Sequence, residues 1–232
     1  MKAGNRYRKS RQYKSIIIFV FFISALSLAL HFLPSKEKVV RNADFKATAQ
    51  DMIALDEHIP EIMVDLRYAT TDNFTRTKIY DDDTAYLRRG TAEKLKAAQA
   101  DFTASGYGIK VWDAYRPPTA QFKLWNKCPD ARFVINPHQG YSYHSRGVAV
   151  DITLVDKEGR ELPMPTGFDD FTAKADRDYG DIDEERARNA RLLEQIMLKH
   201  GFQSIHYEWW HFIDSDKDRY SVIDPAKTPY RK

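Results

Sequence analysis

The sequence predicts an α+β fold: a single compact domain with a central, mostly antiparallel sheet flanked by helices, preceded by an N-terminal transmembrane helix. Three observations support this. Two segments have the apolar periodicity and the terminal residues of helices. Several short segments are rich in β-branched and aromatic residues, as strands are. Helices and strands do not alternate as a regular βαβ repeat, which favours α+β over a parallel α/β fold.

The first 33 residues predict a membrane segment. Residues 1–14 contain six Lys or Arg and no acidic residue, and residues 16–33 contain no Lys, Arg, Asp or Glu. A helix of that length spans about 27 Å, just enough for a bilayer core, and its basic flank is expected to stay in the cytoplasm. The apolar run is long and lacks a clear cleavage site. Residues 15–33 are therefore predicted to be an uncleaved signal anchor, with a cleaved signal peptide as the alternative.

Length and charge restrict the rest of the chain. Residues 34–50 are polar and predict a tether, so the domain spans residues 51–232, enough for one sizeable core. Beyond the basic segment the chain has 30 basic and 33 acidic side chains, and it lacks the clustered basic face of a nucleic-acid-binding protein. A single cysteine, Cys128, excludes an intrachain disulfide, and we interpret it as structural.

The elements of the domain follow from local signals. Thr91 can cap a helix, acidic side chains fill the first turn of another, and Lys199 and His200 close it. Strand signals are alternation and β-branched or aromatic content. In chain order the predicted elements are a strand at 62–69, a helix at 91–106, a strand at 108–118 that ends at two prolines, a short helix at 119–127, a strand at 147–156, a helix at 183–201 and a strand at 206–214.

His144 and Asp151 form the first candidate metal half-site. They lie seven residues apart, and the predicted strand begins between them at Gly147. Zinc accepts both imidazole nitrogen and carboxylate oxygen. Taken alone, the pair is better explained as a surface histidine and a hydrogen-bonded aspartate, so the metal interpretation needs further ligands.

Glu208 and His211, in the segment EWWH, form the second candidate half-site. His211 would complete three protein ligands, and Glu208 would act as the general base. Because side chains alternate along a strand, the two would face opposite sides, so this hypothesis requires a local irregularity. The alternative is a core-facing aromatic strand with a salt-bridged glutamate. His206 is a further candidate ligand or supporting partner, although a structural role is favoured.

Arg116 is the third candidate. It stands at the end of a predicted apolar strand, directly before two prolines. One interpretation is a surface arginine paired with an acid. The other is a fixed guanidinium that stabilises a developing oxyanion or binds a carboxylate.

Five segments in this order, DLRYATTDNF, DAYRP, SYHSRGVAVDITL, TGFDDF and EWWHF, carry a family resemblance. They resemble the D-alanyl-D-alanine dipeptidases of the vancomycin-resistance type, zinc metallopeptidases related to D,D-carboxypeptidases and hedgehog-like domains. The resemblance covers about residues 51–214 and implies a zinc dipeptidase domain with a hedgehog-like or D,D-peptidase-like fold. It implies one Zn²⁺ per chain on His144, Asp151 and His211, Glu208 as the base and Arg116 as the transition-state stabiliser.

The resemblance also implies a substrate. Ser142 and one of Asp169 and Asp170 would receive the amino group of D-Ala-D-Ala, and of the two aspartates Asp170 is our prediction. The expected reaction is hydrolysis to D-alanine, linked to peptidoglycan metabolism. Two alternatives remain: a D,D-carboxypeptidase that trims wall stem peptides, and a non-catalytic zinc-bearing envelope binding module. Glu208 argues against the binding module, which would not need a base.

The predicted anchor departs from the family pattern. Resistance-type dipeptidases act in the cytoplasm, whereas this anchor would hold the domain outside it, in the periplasm or extracellular space of the bacterial envelope. Cleavage of the signal would make the protein secreted. The expected partners are a small D,D-dipeptide released by wall turnover and the membrane, through the N-terminal segment, but no nucleic acid.

Overall fold

The computed structural model describes residues 50–227 and 229, and its elements belong to one unit that spans Thr48–Lys232. The strands of this part are β1 (Met52–Ala54), β2 (Met63–Val64), β3 (Tyr86–Arg88), β4 (Gly108–Asp113), β5 (Ala149–Val155), β6 (Phe202–Ile205) and β7 (Glu208–Asp214). Its α-helices are α1 (Leu55–His58), α2 (Arg89–Ala104), α3 (Pro118–Lys127) and α4 (Glu184–Lys199). Single 3₁₀ turns lie at Arg67–Ala69, Tyr143–Arg146, Ala173–Ala175, Lys217–Arg219 and Pro225–Lys227.

A five-stranded sheet in the order β2-β4-β5-β7-β6 forms the centre of the fold. The β2–β4 pairing is parallel and the other three pairings are antiparallel. β5 is buried along its whole length and lies in the middle of the sheet. Strands β1 and β3 form a separate antiparallel pair.

Helices α2 and α4 pack against each other and against the sheet, α2 on β4 and α4 on β5, β6 and β7. Their buried faces carry residues such as Leu95 and Phe102 in α2 and Leu193 and Met197 in α4. Side-chain spacings of three, four or seven residues place each set on one side of its helix. The side chain of Asp183 caps α4 by accepting from the Arg186 amide.

The predicted α+β class, with a sheet flanked by helices, is confirmed. The sheet is mixed because the edge strand β2 runs parallel to β4. The strand predicted at 62–69 was wrong in extent, because it ends at Val64 and Arg67–Ala69 forms a 3₁₀ turn. The Asn73 side-chain amide donates to the carbonyls of Arg67 and Thr70, which holds the chain in a turn instead of a ladder.

The predictions for the N-terminal region lie outside this description. The basic segment at residues 1–14, the apolar segment at 15–33 and the predicted tether at 34–50, apart from its last residue, are not among the described residues. Among residues 50–227, no helix combines the length and apolar character needed to cross a membrane.

Candidate metal centre

His144 and Asp151 are brought together by a tight turn before β5. Residues Tyr143–Arg146 form a 3₁₀ turn whose N-cap is Ser142, and the Ser142 hydroxyl accepts from the His144 amide at 3.2 Å. Gly147 follows with φ of 71°, and a Cβ there would lie 3.0 Å from the Met52 side chain. Glycine is therefore required where the chain reverses into β5.

His211 reaches the same place through strand pairing. In the β5–β7 register Asp151 lies directly opposite His211, so the two side chains share one face of the sheet. His211 Nδ1 is 2.8 Å from Asp151 Oδ1 and 3.2 Å from His144 Nε2. His144, Asp151 and His211 are all buried, and ligand atoms from all three lie within 4.8 Å of one another.

This cluster fits a divalent cation. Zinc binds imidazole and carboxylate at about 2.0–2.2 Å, which places tetrahedral ligand atoms about 3.3 Å apart. His144 Nδ1 lies 2.7 Å from the Ala114 carbonyl, so this nitrogen carries the proton and Nε2 keeps its lone pair for the cluster. The described residues thus offer two imidazole nitrogens and one carboxylate, with a backbone partner that orients the His144 ring.

The predicted irregularity in the last strand is present. Ser204 pairs with Phe212, but the next residue, Ile205, pairs with Glu208, so the register of β6 and β7 shifts between them. As a result Glu208 Oε2 lies 3.9 Å from His211 Nδ1 although the two residues are three apart in one strand. His206, a candidate ligand by sequence, lies in the exposed turn before β7 and outside the cluster.

Burial and charge set the protonation of these groups. Burial raises the pKa of Glu208, and the nearby Asp151 carboxylate adds to this, although His211 opposes it. Burial alone would raise the pKa of Asp151 as well, but His144 and His211 outweigh it and hold that pKa below its usual range. The two carboxyls thus divide roles, with Asp151 kept anionic and Glu208 suited to accept a proton.

Arg116 is fixed beside the cluster by several contacts. Its Nη2 donates to Asp113 Oδ2 at 2.6 Å, its Nη1 to Gln121 Oε1 at 3.3 Å, and its guanidinium carbon lies 5.2 Å from the centre of the Tyr68 ring. The Arg116 side chain is only 11% exposed. Arg116 is thus paired with an acid, as the alternative interpretation had it, but it is largely buried beside the cluster and does not lie on the surface.

Of the two neighbouring aspartates, Asp169 lines both the cavity of the metal cluster and the adjacent cavity, whereas Asp170 lines only the adjacent one. Asp169, with φ of 55°, turns into the cavity that contains the cluster, and its Oδ2 accepts from the Tyr68 hydroxyl at 2.8 Å. Asp170 lines the adjacent cavity, and its carboxylate accepts from the Thr172 amide. Asp169, rather than Asp170, accordingly lies with the metal cluster.

A single cavity of about 290 Å³ joins these residues. Its lining includes the three cluster residues together with Glu208, Arg116, Ser142 and Asp169. Aromatic side chains form part of its wall, and Phe133 stacks on Phe171 with ring centres 4.7 Å apart.

Two residues that support this site were not identified from the sequence. Tyr68 lies under Arg116 and donates to Asp169, while Asp113 binds Arg116 and also accepts from the Tyr80 hydroxyl at 2.5 Å. Both stand within the segments DLRYATTDNF and WDAYRPP. Asp113 stands three residues before Arg116, and this spacing was a signal that could have revealed it, whereas Tyr68 lies 48 residues from Arg116 and had no such signal.

A buried His–Asp–His cluster beside a carboxylic acid and a fixed arginine, on this α+β fold, defines a metallopeptidase. The chain belongs to the D-Ala-D-Ala dipeptidase family, whose model matches residues 48–226. It is 36% identical over 162 residues to a D-alanyl-D-alanine dipeptidase of Escherichia coli, covering 70% of this chain and 83% of the relative. It is 33% identical over 178 residues to one of Enterococcus faecalis, covering 68% and 88%.

One solved structure with detectable likeness is a vancomycin-resistance D,D-dipeptidase, VanXYg, in complex with a D-Ala-D-Ala phosphinate analogue. The match covers 71% of this chain and 67% of that one, with 17% identity and a TM-score of 0.39.

Proposed function

We propose that this protein hydrolyses D-alanyl-D-alanine to D-alanine with one Zn²⁺ bound by His144, Asp151 and His211. The observation that carries the proposal is the convergence of these three side chains with Glu208 and Arg116 in one small cavity. Family membership supports the substrate, because the curated relatives are D-alanyl-D-alanine dipeptidases.

The roles follow from position and charge. A divalent ion in the cluster supplies a Lewis acid beside the scissile carbonyl. Glu208, whose pKa burial raises, takes the proton from the attacking water and returns it to the leaving amine. The Arg116 guanidinium donates to the oxygen on which negative charge develops, and Asp113 keeps it aimed there.

The amino end of the substrate is assigned to Asp169. Burial raises the pKa of the Asp169 carboxyl well above its usual value, because the nearby Arg116 only partly offsets the loss of hydration. A substrate ammonium entering the cavity would provide the missing positive charge. Ser142 lines the same cavity and adds a hydroxyl. The cavity of about 290 Å³ is at the small end for ligand sites, which favours a free dipeptide.

Substrate comparison tests this function. The full chain, loaded with Zn²⁺, is incubated separately with D-Ala-D-Ala and with a wall stem pentapeptide that ends in D-Ala-D-Ala. We expect D-alanine release from the dipeptide and at least a hundredfold lower kcat/KM for the pentapeptide. Equal rates would instead identify a D,D-carboxypeptidase. Zinc binding without hydrolysis of either substrate would identify a binding module.

The location is proposed from the sequence. Six basic residues followed by the charge-free run at 16–33 support an N-terminal anchor with the domain outside the cytoplasm. The full chain, tagged at its C-terminus and expressed in a Gram-negative bacterium, is then expected to stay in washed membranes. Protease added to spheroplasts should digest it. Recovery in the cytoplasmic fraction, protected from protease, would refute the anchor.

A further inference from the structure

Arg177 reaches the irregular part of the β6–β7 pair. It follows the 3₁₀ turn Ala173–Ala175, and its side chain is 6% exposed. Its Nε donates to the Ile205 carbonyl at 2.8 Å, and its Nη2 donates to the carbonyls of Glu208 and His211, each at 3.1 Å. Its own amide donates to the His206 carbonyl at 3.0 Å.

These four carbonyls bracket the shift in register. Ser204 and Ile205 are consecutive, yet their partners Phe212 and Glu208 are four residues apart, so the regular ladder is interrupted between them. Backbone carbonyls at such a bulge need other donors, because a buried carbonyl without one costs about 1–3 kcal/mol. The planar guanidinium of Arg177 supplies donors to three of them, and its backbone amide supplies the fourth.

Further contacts hold the guanidinium in place. Its carbon lies 4.7 Å from the centre of the Phe212 ring, and Nη1 is 3.4 Å from Glu194 Oε1 on α4. The Arg177 guanidinium therefore packs against an aromatic ring and also pairs with an acidic side chain. Its geometry is as constrained as that of Arg116, but its hydrogen bonds to Glu208 and His211 go to their backbone carbonyls.

We propose that Arg177 is a positioning residue that acts through backbone carbonyls, holding Glu208 and His211 on the same side of an irregular strand. Regular alternation would turn these two side chains to opposite faces. By bonding both of their carbonyls with one nitrogen, Arg177 locks the conformation that brings the base and the third ligand together. This inference rests on the proposed function for the roles of Glu208 and His211.

The chain offers a matched control in Arg88. It is also buried and also donates to three backbone carbonyls, those of Gln50, Arg146 and Ser221. Its guanidinium carbon lies 5.9 Å from the Tyr220 ring centre. None of its acceptors lies within residues 205–211, so Arg88→Met removes a comparable set of contacts away from the Glu208–His211 backbone.

The experiment compares Arg177→Met, Arg177→Lys and Arg88→Met in the full chain. We expect Arg177→Met to lower kcat for D-Ala-D-Ala about 10–100-fold, with KM changed less than about threefold, and to raise the Zn²⁺ dissociation constant about tenfold. Arg177→Lys should have a kcat and a Zn²⁺ affinity between those of wild type and Arg177→Met, because an ammonium lacks the planar fork of a guanidinium. Arg88→Met should lose similar thermal stability and leave amide exchange of residues 205–211 at the wild-type rate.

Hydrogen exchange separates this inference from the proposed function. Amides of residues 205–211 should exchange faster in both Arg177 variants than in wild type or Arg88→Met. If wild type does not hydrolyse D-Ala-D-Ala, the proposed function fails, yet faster exchange and weaker Zn²⁺ binding would still support the positioning role. Unchanged exchange and Zn²⁺ affinity in Arg177→Lys would overturn it, as would equally faster exchange of residues 205–211 in Arg177→Met and Arg88→Met. If Arg177→Met does not fold, Arg177→Lys carries the test.

Discussion

Strand β7 takes part in two buried carboxylate clusters with different partners. At its end, Asp214 is fully buried and accepts from Thr91 Oγ1 at 2.7 Å, from the Asp216 amide at 2.8 Å and from Lys94 Nζ. Three residues earlier, His211 meets Asp151, whose other neighbour is His144. Asp214 therefore has donors that keep their protons near neutral pH, whereas Asp151 has imidazoles, which can give theirs up.

The difference separates a structural carboxylate from a functional one. A lysine, a hydroxyl and an amide satisfy Asp214 permanently, so nothing else needs to bind there. Two imidazoles satisfy Asp151 only while protons are shared among the three groups, and a divalent ion can replace those protons. Burial is similar at both places, so the chemistry of the partners, and the cavity beside Asp151, distinguish them.

Removing the base should produce the largest effect and leave the metal cluster intact. Glu208→Ala is expected to lower kcat for D-Ala-D-Ala by about 10³-fold, the typical loss of a general acid–base, while zinc content stays at one per chain. D-alanine release and elemental analysis measure the two quantities. Normal turnover by a metal-replete Glu208→Ala preparation would exclude Glu208 as the base.

Removing the fixed cation should have the next largest effect. Arg116→Met is expected to lower kcat about 10²–10³-fold with a smaller change in KM, because the interaction is strongest with the developing oxyanion. Steady-state kinetics at full zinc occupancy measures this. Arg160→Met, which changes an exposed arginine paired with Asp156 away from the site cavity, is the control and should be near wild type. An effect on KM alone would assign Arg116 to ground-state binding.

Changing one side chain in each of the two carboxylate clusters tests the comparison directly. Asp214→Asn should lower the free energy of unfolding by about 3 kcal/mol, since Lys94 loses a buried partner, and should leave zinc content unchanged. His144→Ala should instead abolish zinc binding at micromolar metal. Urea unfolding and metal analysis are run on both variants. Zinc loss in Asp214→Asn, or full zinc content in His144→Ala, would contradict the distinction.

The smallest expected effect concerns Asp169 and depends on pH. Burial raises the pKa of Asp169, so its contribution to stability is complete below the ordinary aspartate pKa of about 4 and is lost as pH rises through the raised value. Asp169→Asn has no titrating group at this position and does not suffer this loss. The free energy of unfolding of the variant minus that of wild type should therefore increase from pH 4 to pH 8. Urea unfolding across that range measures it. An identical profile for Asp170→Asn would show that the effect does not belong to Asp169.

Some of the site could be predicted from the sequence because its signals are local. The spacing of His144 and Asp151 spans a turn and the start of a strand, and the structure contains both. Alternation along β7 indicated that Glu208 and His211 could act together only across an irregularity, and the register shift confirms it.

Other parts of the site and the fold have no local signal in the sequence. Asp169 and Asp170 are adjacent and chemically alike, and only the backbone turn at Asp169 separates them. Arg177 binds carbonyls, which every residue has, so no side-chain pattern marks its partners. Strands β1 and β3 have three residues each, too few for periodicity to register.

The distance along the chain between the two histidines has a further consequence. His144 and His211 are 67 residues apart, and α4 lies between them. A cation held by both would act as a reversible crosslink across that span. At a thousandfold excess over its dissociation constant, it would add about 4 kcal/mol to the free energy of unfolding. The supply of metal would then determine how long the protein survives proteolysis as well as whether it turns over substrate.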